Sequence, residues 1–194
     1  MRNSRIDLRG IAASLAAVFL LGLLFGGCGI MNYKTRSYPI KYVEEINAAA
    51  DKYGLDRYLV AAVVRTESSF RPEAVSQDGA CGLMQVLPVT AEWIDFKRGS
   101  ALPENGLYAV ETNLDYGCWF LRFLLDRYDG SVRNALVAYN AGYNRLESWL
   151  ETGADENGEL AEIPYAETRN YVSKVLDAYE TYKDLYDLYD EKLG

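Results

Sequence analysis

The stretch RYLVAAVVRTESSFRPEA, residues 57–74, joins a long apolar segment to a carboxylate that interrupts it. The apolar residues follow a helical period and form one stripe, made of Leu59, Val60, Val63 and Val64. Steps of three and four residues lead from this stripe to Glu67 and then to Phe70. A carboxylate on a buried helix face either pairs with a basic side chain or stays protonated as a general acid. The pairing is the commoner case for an isolated Glu, so the rest of the sequence decides between them.

The composition restricts the chemistry that this chain can perform. With 194 residues, of which 49% are hydrophobic and 13% aromatic, the chain is long enough for one globular domain. A net charge of -8 argues against nucleic-acid binding, which needs a basic surface. The absence of His excludes Ser-His-Asp triads and His-ligated metal sites. Acid-base chemistry near neutral pH therefore falls to groups such as carboxylates, and no cofactor or metal is predicted.

The N-terminus predicts an export or membrane segment. Residues 10–33 carry no charge and follow Arg2, Arg5 and Arg9, so this run is long enough to cross a bilayer with its N-terminus in the cytoplasm. Three outcomes are open: an uncleaved anchor, a cleaved signal peptide, or a lipoprotein acylated at Cys28. The anchor is favoured. We therefore predict an anchor or signal segment at 1–30, a linker at 31–38, and an extracytoplasmic domain at 39–194, held at the cell membrane.

The remaining sequence predicts a mainly α fold. Hydrophobic periodicity, capping residues, Gly and Pro place helices at 39–54, 56–70, 88–96, 111–130, 131–142, 144–150 and 164–188. Pro72 is expected to stop the second of these helices. The glycine-containing segment 76–88, SQDGACGLMQVLP, lacks periodicity and is a candidate site loop. The tail helix carries a stripe of Tyr171, Val175, Ala178, Tyr182, Leu185 and Tyr189.

Two further features have ordinary alternatives. Cys81 and Cys118 either form a disulfide in an oxidising compartment or remain two small buried thiols. The acidic segment 151–160, ETGADENGEL, lacks the residue register of an EF-hand, so we predict a solvated turn there.

Four segments together resemble the soluble-lytic-transglycosylase-type catalytic domain in content and order. They are ESSFRPEAVSQDGACGLMQVLPVTAEWI (67–94), TNLDYGCWFLRFLL (112–125), ALVAYNAGYNRLESWL (135–150) and IPYAETRNYVSKV (163–175). The resemblance covers roughly residues 40–180. It implies a helical, lysozyme-like fold that acts on the glycan strands of peptidoglycan. It further implies cleavage of the β-1,4 bond between MurNAc and GlcNAc, with formation of a 1,6-anhydro-MurNAc end.

The resemblance also assigns residues. Glu67 matches the single catalytic carboxylate, which acts first as acid and then as base. The substrate-binding positions that it implies are Ser76, Gly82, Met84, Gln85, Tyr139, Asn140 and Tyr171. The hydroxyl of Tyr171 is expected to hydrogen-bond Glu67 and to tune its pKa. The residues themselves also allow structural roles: core packing for Met84 and Tyr139, a loop cap for Gln85, a helix terminator for Asn140 and stripe packing for Tyr171.

Two alternative functions remain open at this point. A hydrolysing muramidase on the same fold needs a second carboxylate or a positioned water, with Asp78, Glu92 and Asp95 as candidates. A non-catalytic glycan-binding module would keep the cleft without the chemistry.

Overall fold

The computed structural model describes residues 37–103 and 106–190, with side chains up to residue 186. The predicted membrane segment lies outside these residues, and none of the described helices is long and apolar enough to cross a bilayer. The described part of the chain contains seven α-helices, one 3-10 helix at Gly106–Tyr108 and no β-strand. The α-helices are α1 Val43–Tyr53, α2 Arg57–Ser68, α3 Pro88–Arg98, α4 Val110–Arg127, α5 Val132–Ala141, α6 Tyr143–Gly153 and α7 Ala166–Asp190. The mainly α fold class is confirmed.

Capping residues explain most helix ends. Gly54 ends α1 in the left-handed conformation, at φ 58°, which glycine adopts without steric cost. The Asp56 carboxylate caps α2 by accepting the backbone N–H of Tyr58 at 2.7 Å, and the Ser131 hydroxyl caps α5 in the same way. Helix α1 begins four residues later than predicted, because Tyr42 lies in the left-handed region at φ 56°.

Helix α2, which carries Glu67, is largely buried. Residues 58–64 are buried all round the helix, including Ala61 and Ala62, so the apolar surface is wider than the predicted stripe. The helix ends at Ser68, before the predicted stop at Pro72, because Ser69 and Phe70 both have positive φ. Two consecutive left-handed residues turn the chain away directly after Glu67, so the turn and not the proline ends the helix.

Helices α1 and α7 pack directly on α2, and the remaining helices pack on these two or on one another. Helix α7 lies along α2 over the most extensive contact in the fold, and α1 packs on both α2 and α4. Helix α5 packs against α4, α6 and α7. The predicted stripe of α7 is buried at Tyr171, Val175, Ala178, Tyr182 and Leu185, whereas the side chain of Tyr189 lies outside the described residues. This arrangement brings the start of α7 and the end of α5 to the end of α2 that carries Glu67.

The two described cysteines are free thiols, and the acidic segment contains a turn. Cys81 and Cys118 are both free, buried thiols with different neighbours, so they do not form a disulfide. Cys118 contacts Met84, with 3.8 Å between the sulfur atoms, and Cys81 lies 3.5 Å from the Tyr108 hydroxyl. Residues 154–160 form a turn, in which the Asp155 carboxylate accepts the backbone N–H groups of Asn157 and Glu159, each at 2.9 Å.

Candidate active site

Glu67 lies in the last turn of α2 and is half-buried, and the surrounding protein desolvates its carboxyl group. Burial raises the pKa of this carboxyl to about 7, and the hydroxyl of Tyr171 lowers it by a smaller amount. Burial acts in this direction because a charged carboxylate loses more hydration than a neutral acid. A substantial fraction of Glu67 is therefore protonated near neutral pH, as a general acid requires.

Two tyrosines from other helices lie beside this carboxyl. Tyr171, in the first turns of α7, is buried, and its hydroxyl interacts with Glu67 but has no partner with full hydrogen-bond geometry. The contact between Tyr171 and Glu67 is therefore weaker in geometry than the hydrogen bond that the family resemblance implies. Tyr139, near the end of α5, donates its hydroxyl to the carbonyl oxygen of Met84 at 2.9 Å. Burial first, and then the charge of Glu67, raise the pKa of both tyrosines, so both stay neutral donors.

The loop from Ala74 to Val86 folds back on itself beside these tyrosines. Backbone bridges join Val75 to Cys81 and Cys81 to Val86. The Ser76 side chain is part of this fold, because its hydroxyl accepts the backbone N–H of Ala80 at 3.0 Å. Ser76 is exposed, so a ligand can still reach it.

Gly82 and Met84 hold the loop against α4. Gly82 is buried at φ 76°, and a Cβ there would lie 2.5 Å from the carbonyl oxygen of Leu107. The side chain of Met84 is fully buried and fills the space that Gly117 of α4 leaves open. This burial matches the core-packing role that the residue type of Met84 also allows. Its contribution is core packing, while its carbonyl oxygen binds Tyr139.

Gln85 makes hydrogen bonds within the loop, whereas Asn140 is exposed. Gln85 is half-buried at φ 49°, and its side-chain amide donates to the carbonyl oxygens of Gly82 at 2.9 Å and Ala74 at 3.2 Å. It therefore caps the loop, as one of its two predicted roles requires. Asn140 is exposed in the last turn of α5, next to Tyr139. The structure thus groups Glu67 with both tyrosines and places the loop residues around them.

Asn113 is an important residue that the sequence interpretation missed. It is 1% exposed on α4, and its amide group makes three hydrogen bonds to loop and neighbouring backbone. It accepts the Met84 N–H at 2.7 Å and donates to the carbonyl oxygens of Cys81 and Leu107, each at 2.8 Å. A polar residue among the apolar positions of α4 was the available signal, since a buried amide requires partners.

Glu67 is the carboxyl group at this site whose pKa is raised toward neutrality. In the two described ranges, no group of three or more His, Cys, Asp or Glu side chains is arranged to hold a metal ion. No second carboxylate of the described chain contributes to the pKa shift of Glu67. The arrangement therefore provides one proton donor with a raised pKa and a neutral hydroxyl beside it.

Comparison with known proteins identifies the relatives of this chain. A family model described as the transglycosylase SLT domain matches residues 44–161. The membrane-bound lytic murein transglycosylase C of Edwardsiella ictaluri is 30% identical over 170 residues, covering 74% of this chain and 46% of that protein. The transglycosylase of Enterobacteria phage PRD1 is 42% identical over 116 residues, covering 60% of this chain and 40% of the phage protein.

A solved structure of a lytic transglycosylase has a fold similar to that of this chain. An inactive Glu-to-Gln mutant of the lytic transglycosylase Slt from Pseudomonas aeruginosa superposes with a TM-score of 0.69 at 30% identity, covering 77% of this chain and 25% of the Slt chain. The lysozyme-like helical fold is therefore confirmed. This chain spans under half of the Edwardsiella protein and a quarter of the Slt structure.

Proposed function

The chain belongs to the transglycosylase SLT domain family, and from this membership we propose that it is a peptidoglycan lytic transglycosylase. Its substrate is the β-1,4 bond between MurNAc and GlcNAc, and its product carries a 1,6-anhydro-MurNAc end. The observation that carries this proposal is Glu67, a largely desolvated carboxyl with a pKa of about 7, placed beside two neutral tyrosines. Relatives of this chain are named lytic murein transglycosylases, which supports the same reaction.

In the first step, protonated Glu67 donates its proton to the glycosidic oxygen. The bond from that oxygen to C1 of MurNAc breaks, and positive charge develops on C1 and the ring oxygen. The leaving sugar departs as an alcohol, and Glu67 becomes a carboxylate. The Tyr171 hydroxyl favours this carboxylate, because its interaction lowers the Glu67 pKa. The acetamido group of the substrate stabilises C1 in this family.

In the second step, the Glu67 carboxylate acts as the base. It accepts the proton of the C6 hydroxyl of the same MurNAc while the C6 oxygen bonds to C1. The ring closure produces the 1,6-anhydro sugar and returns Glu67 to its protonated form. No water is consumed, so the mechanism needs one carboxylate, in contrast to hydrolysis with two. Activity that depends on protonated Glu67 is expected to fall as the pH rises through about 7.

The hydrolysing alternative receives less support from the site. Asp95, one of its three candidate carboxylates, accepts hydrogen bonds from Tyr116 at 2.5 Å and Ser100 at 2.8 Å. Asp78 and Glu92 are exposed. None of the three contributes to the pKa shift of Glu67.

The substitution Glu67→Gln tests the proposal directly. The amide is similar in shape but cannot donate the proton, so we expect cleavage of purified peptidoglycan to be lost while glycan binding is retained. Mass spectrometry of the wild-type products should show glycan ends lighter by one water than hydrolysed ends. The matched control is Glu73→Gln, the same chemical change at an exposed position just beyond α2.

Two results would contradict the proposal. Undiminished cleavage by Glu67→Gln would show that Glu67 is not the catalytic acid. Wild-type products with reducing ends alone would favour the muramidase. Peptidoglycan binding without any cleavage by the wild type would favour the non-catalytic module.

We further propose that the domain works outside the cytoplasm, held at the membrane by the segment at 1–30. The membrane-bound relative supports this location. The mass of the mature N-terminus separates the three outcomes, because an intact anchor, a cleaved signal peptide and an acylated Cys28 have different masses. A cleaved N-terminus without a lipid would contradict membrane attachment.

A further inference from the structure

A cluster of half-buried aromatic rings lies outside the catalytic residues. Helices α3, α4 and α6 contribute its members, here called the aromatic cluster: Trp93, Trp119, Phe120, Phe123 and Tyr143. Trp93 is at the centre, with ring centroids 5.0 Å from Phe123, 5.8 Å from Trp119 and 6.0 Å from Tyr143. None of the five rings is fully buried.

The aromatic cluster opens onto an apolar part of the surface. On α3, Ala91 and Ile94 face the core, and Trp93 lies on a different side of the helix. The neighbours of Trp93 one turn away on that side are Val89, which is 66% exposed, and Phe96, which is 81% exposed. Large apolar side chains that are grouped at a surface commonly mark a binding site.

The aromatic cluster is continuous with the candidate active site. The ring of Phe120 lies 5.4 Å from that of Tyr139. Tyr139 in turn lies close enough to Glu67 for the charge of the carboxylate to raise the tyrosine pKa. A single extended ligand bound at Glu67 can therefore pass over Phe120 and reach Trp93.

Cations lie at the edges of the aromatic cluster. The Lys97 ammonium is 5.6 Å from the centre of the Trp93 ring, and the Arg127 guanidinium is 5.4 Å from that of Tyr143. Arg127 also pairs with Glu147. Aromatic faces suit the C–H faces of sugar rings, and cations suit the carboxylates of MurNAc lactyl groups and stem peptides.

We propose that the aromatic cluster binds sugars of the glycan strand beyond the bond that Glu67 breaks, and so makes the enzyme prefer long strands. This inference rests on the proposed function. The occupant is the substrate strand and not a second protein, because the ring contacts connect the aromatic cluster to the acid. A strand that covers both regions gains binding energy from sugars that do not react, which lowers KM for long substrates.

Intrinsic fluorescence provides a test that leaves the aromatic cluster unchanged. The chain has three Trp, and the one outside the aromatic cluster, Trp149, contacts Tyr165 at 5.0 Å. In the full-length double variant Glu67→Gln, Trp149→Phe, emission excited selectively from Trp comes from Trp93 and Trp119 alone. We expect a peptidoglycan octasaccharide to shift this emission to shorter wavelength and a disaccharide to leave it unchanged. If calorimetry shows that the octasaccharide saturates the protein and the Trp emission is still unchanged, the proposal is wrong.

Kinetics provide a second test with a matched control. For Trp93→Ala, we expect KM for long strands to rise about fivefold, the size of a lost aromatic contact, and kcat on a short fragment to stay unchanged. Trp149→Ala, the same chemical change at a Trp outside the aromatic cluster, should change neither. Equal losses on long and short substrates, or equal effects of the two variants, would show a structural role instead. A dimer that Trp93→Ala dissociates would assign the surface to a second copy.

The two proposals can fail separately. If the wild type forms anhydro ends but neither test responds to strand length, the aromatic cluster inference alone is wrong. If the wild type does not cleave and the octasaccharide still shifts the Trp emission, the catalytic proposal alone is wrong.

Discussion

Glu67 combines two properties at the scale of a single residue: it is positioned for proton transfer and it is costly to ionise. Its pKa in the folded protein is about 7, against an ordinary value of 4.5, and burial is the main cause. Between these two pH values the folded state holds a proton that the unfolded chain has released. The folded state is therefore destabilised as the pH rises through this window.

This difference predicts a pH-dependent effect of Glu67→Gln on stability. Gln has no charge to bury, so the variant should gain stability over the wild type from about pH 4.5 to about pH 7 and keep the gain above. The full gain should approach roughly 3 kcal/mol, the free energy that corresponds to the pKa difference. Urea unfolding at acidic, neutral and mildly alkaline pH measures the difference in free energy of unfolding between the variant and the wild type.

Tyr171→Phe is the companion variant for this measurement. Removing the hydroxyl that lowers the Glu67 pKa should raise that pKa further, so the fall in stability should continue to a higher pH than in the wild type. A stability difference between Glu67→Gln and the wild type that does not change with pH would contradict the assigned burial.

At the scale of secondary-structure elements, the site depends on how α4 holds the loop 74–86. The Asn113 amide binds the backbone at Cys81, Met84 and Leu107. Met84 then accepts the Tyr139 hydroxyl, so the position of the loop also sets the position of a tyrosine beside Glu67. Helix α4 thus acts on the catalytic geometry without contributing a group to the chemistry.

Asn113→Ala should therefore reduce both stability and activity. The change leaves the Met84 N–H and the Leu107 carbonyl oxygen without this partner in a buried region, which costs about 2 to 4 kcal/mol. The Cys81 carbonyl oxygen keeps the N–H of Val86 as a donor at 3.0 Å. Under conditions in which the variant remains folded, we expect a lower kcat, because the acceptor of Tyr139 is no longer held in place. Urea unfolding and cleavage of purified peptidoglycan measure the two effects.

Asn134→Ala is the matched control for this prediction. Asn134 is also buried, and its amide similarly binds backbone groups, at Gly158 and Leu160 of the turn 154–160. We expect a comparable loss of stability with little loss of kcat in the folded enzyme. Equal losses of kcat in the two variants would refute a specific effect of Asn113 on the site.

At the scale of the whole molecule, the contact between α2 and α7 joins distant parts of the chain around the acid. The Tyr179 hydroxyl of α7 donates to the Asp56 carboxylate at 2.8 Å, and the same carboxylate caps the start of α2. Tyr171 is at the other end of this contact, beside Glu67. Tertiary packing along α2 therefore sets the position of the tyrosine relative to the carboxyl.

Substitutions at these two positions should separate the cap from the interhelical contact. Asp56→Ala removes both and should destabilise the protein by about 1 to 2 kcal/mol, mostly through loss of the helix cap. Tyr179→Phe keeps the cap and removes only the hydrogen bond, at a cost of about 1 kcal/mol or less. Thermal and urea unfolding of both variants measure the two losses of stability, and the loss for Asp56→Ala should be the larger. A larger loss for Tyr179→Phe than for Asp56→Ala would contradict it.

The sequence by itself determined the helices and singled out Glu67. Apolar periodicity placed all seven described helices, and Gly54, Asp56 and Ser131 cap them as local chain chemistry requires. These features depend on residues close in the chain, which a sequence shows directly. Glu67 was visible because its carboxylate interrupts an apolar segment. The roles of Glu67 and its neighbours as catalytic and binding residues remain proposals.

Only the tertiary structure decided what surrounds Glu67. The raised pKa depends on burial by groups from several helices, and the partners of Asn113 are as many as 32 residues away along the chain. The burial of Met84 depends on the space at Gly117, a residue of another helix. The aromatic cluster likewise forms from three helices that no local pattern joins. Desolvation and side-chain contact depend on distance in space, and spacing along the chain alone does not determine that distance.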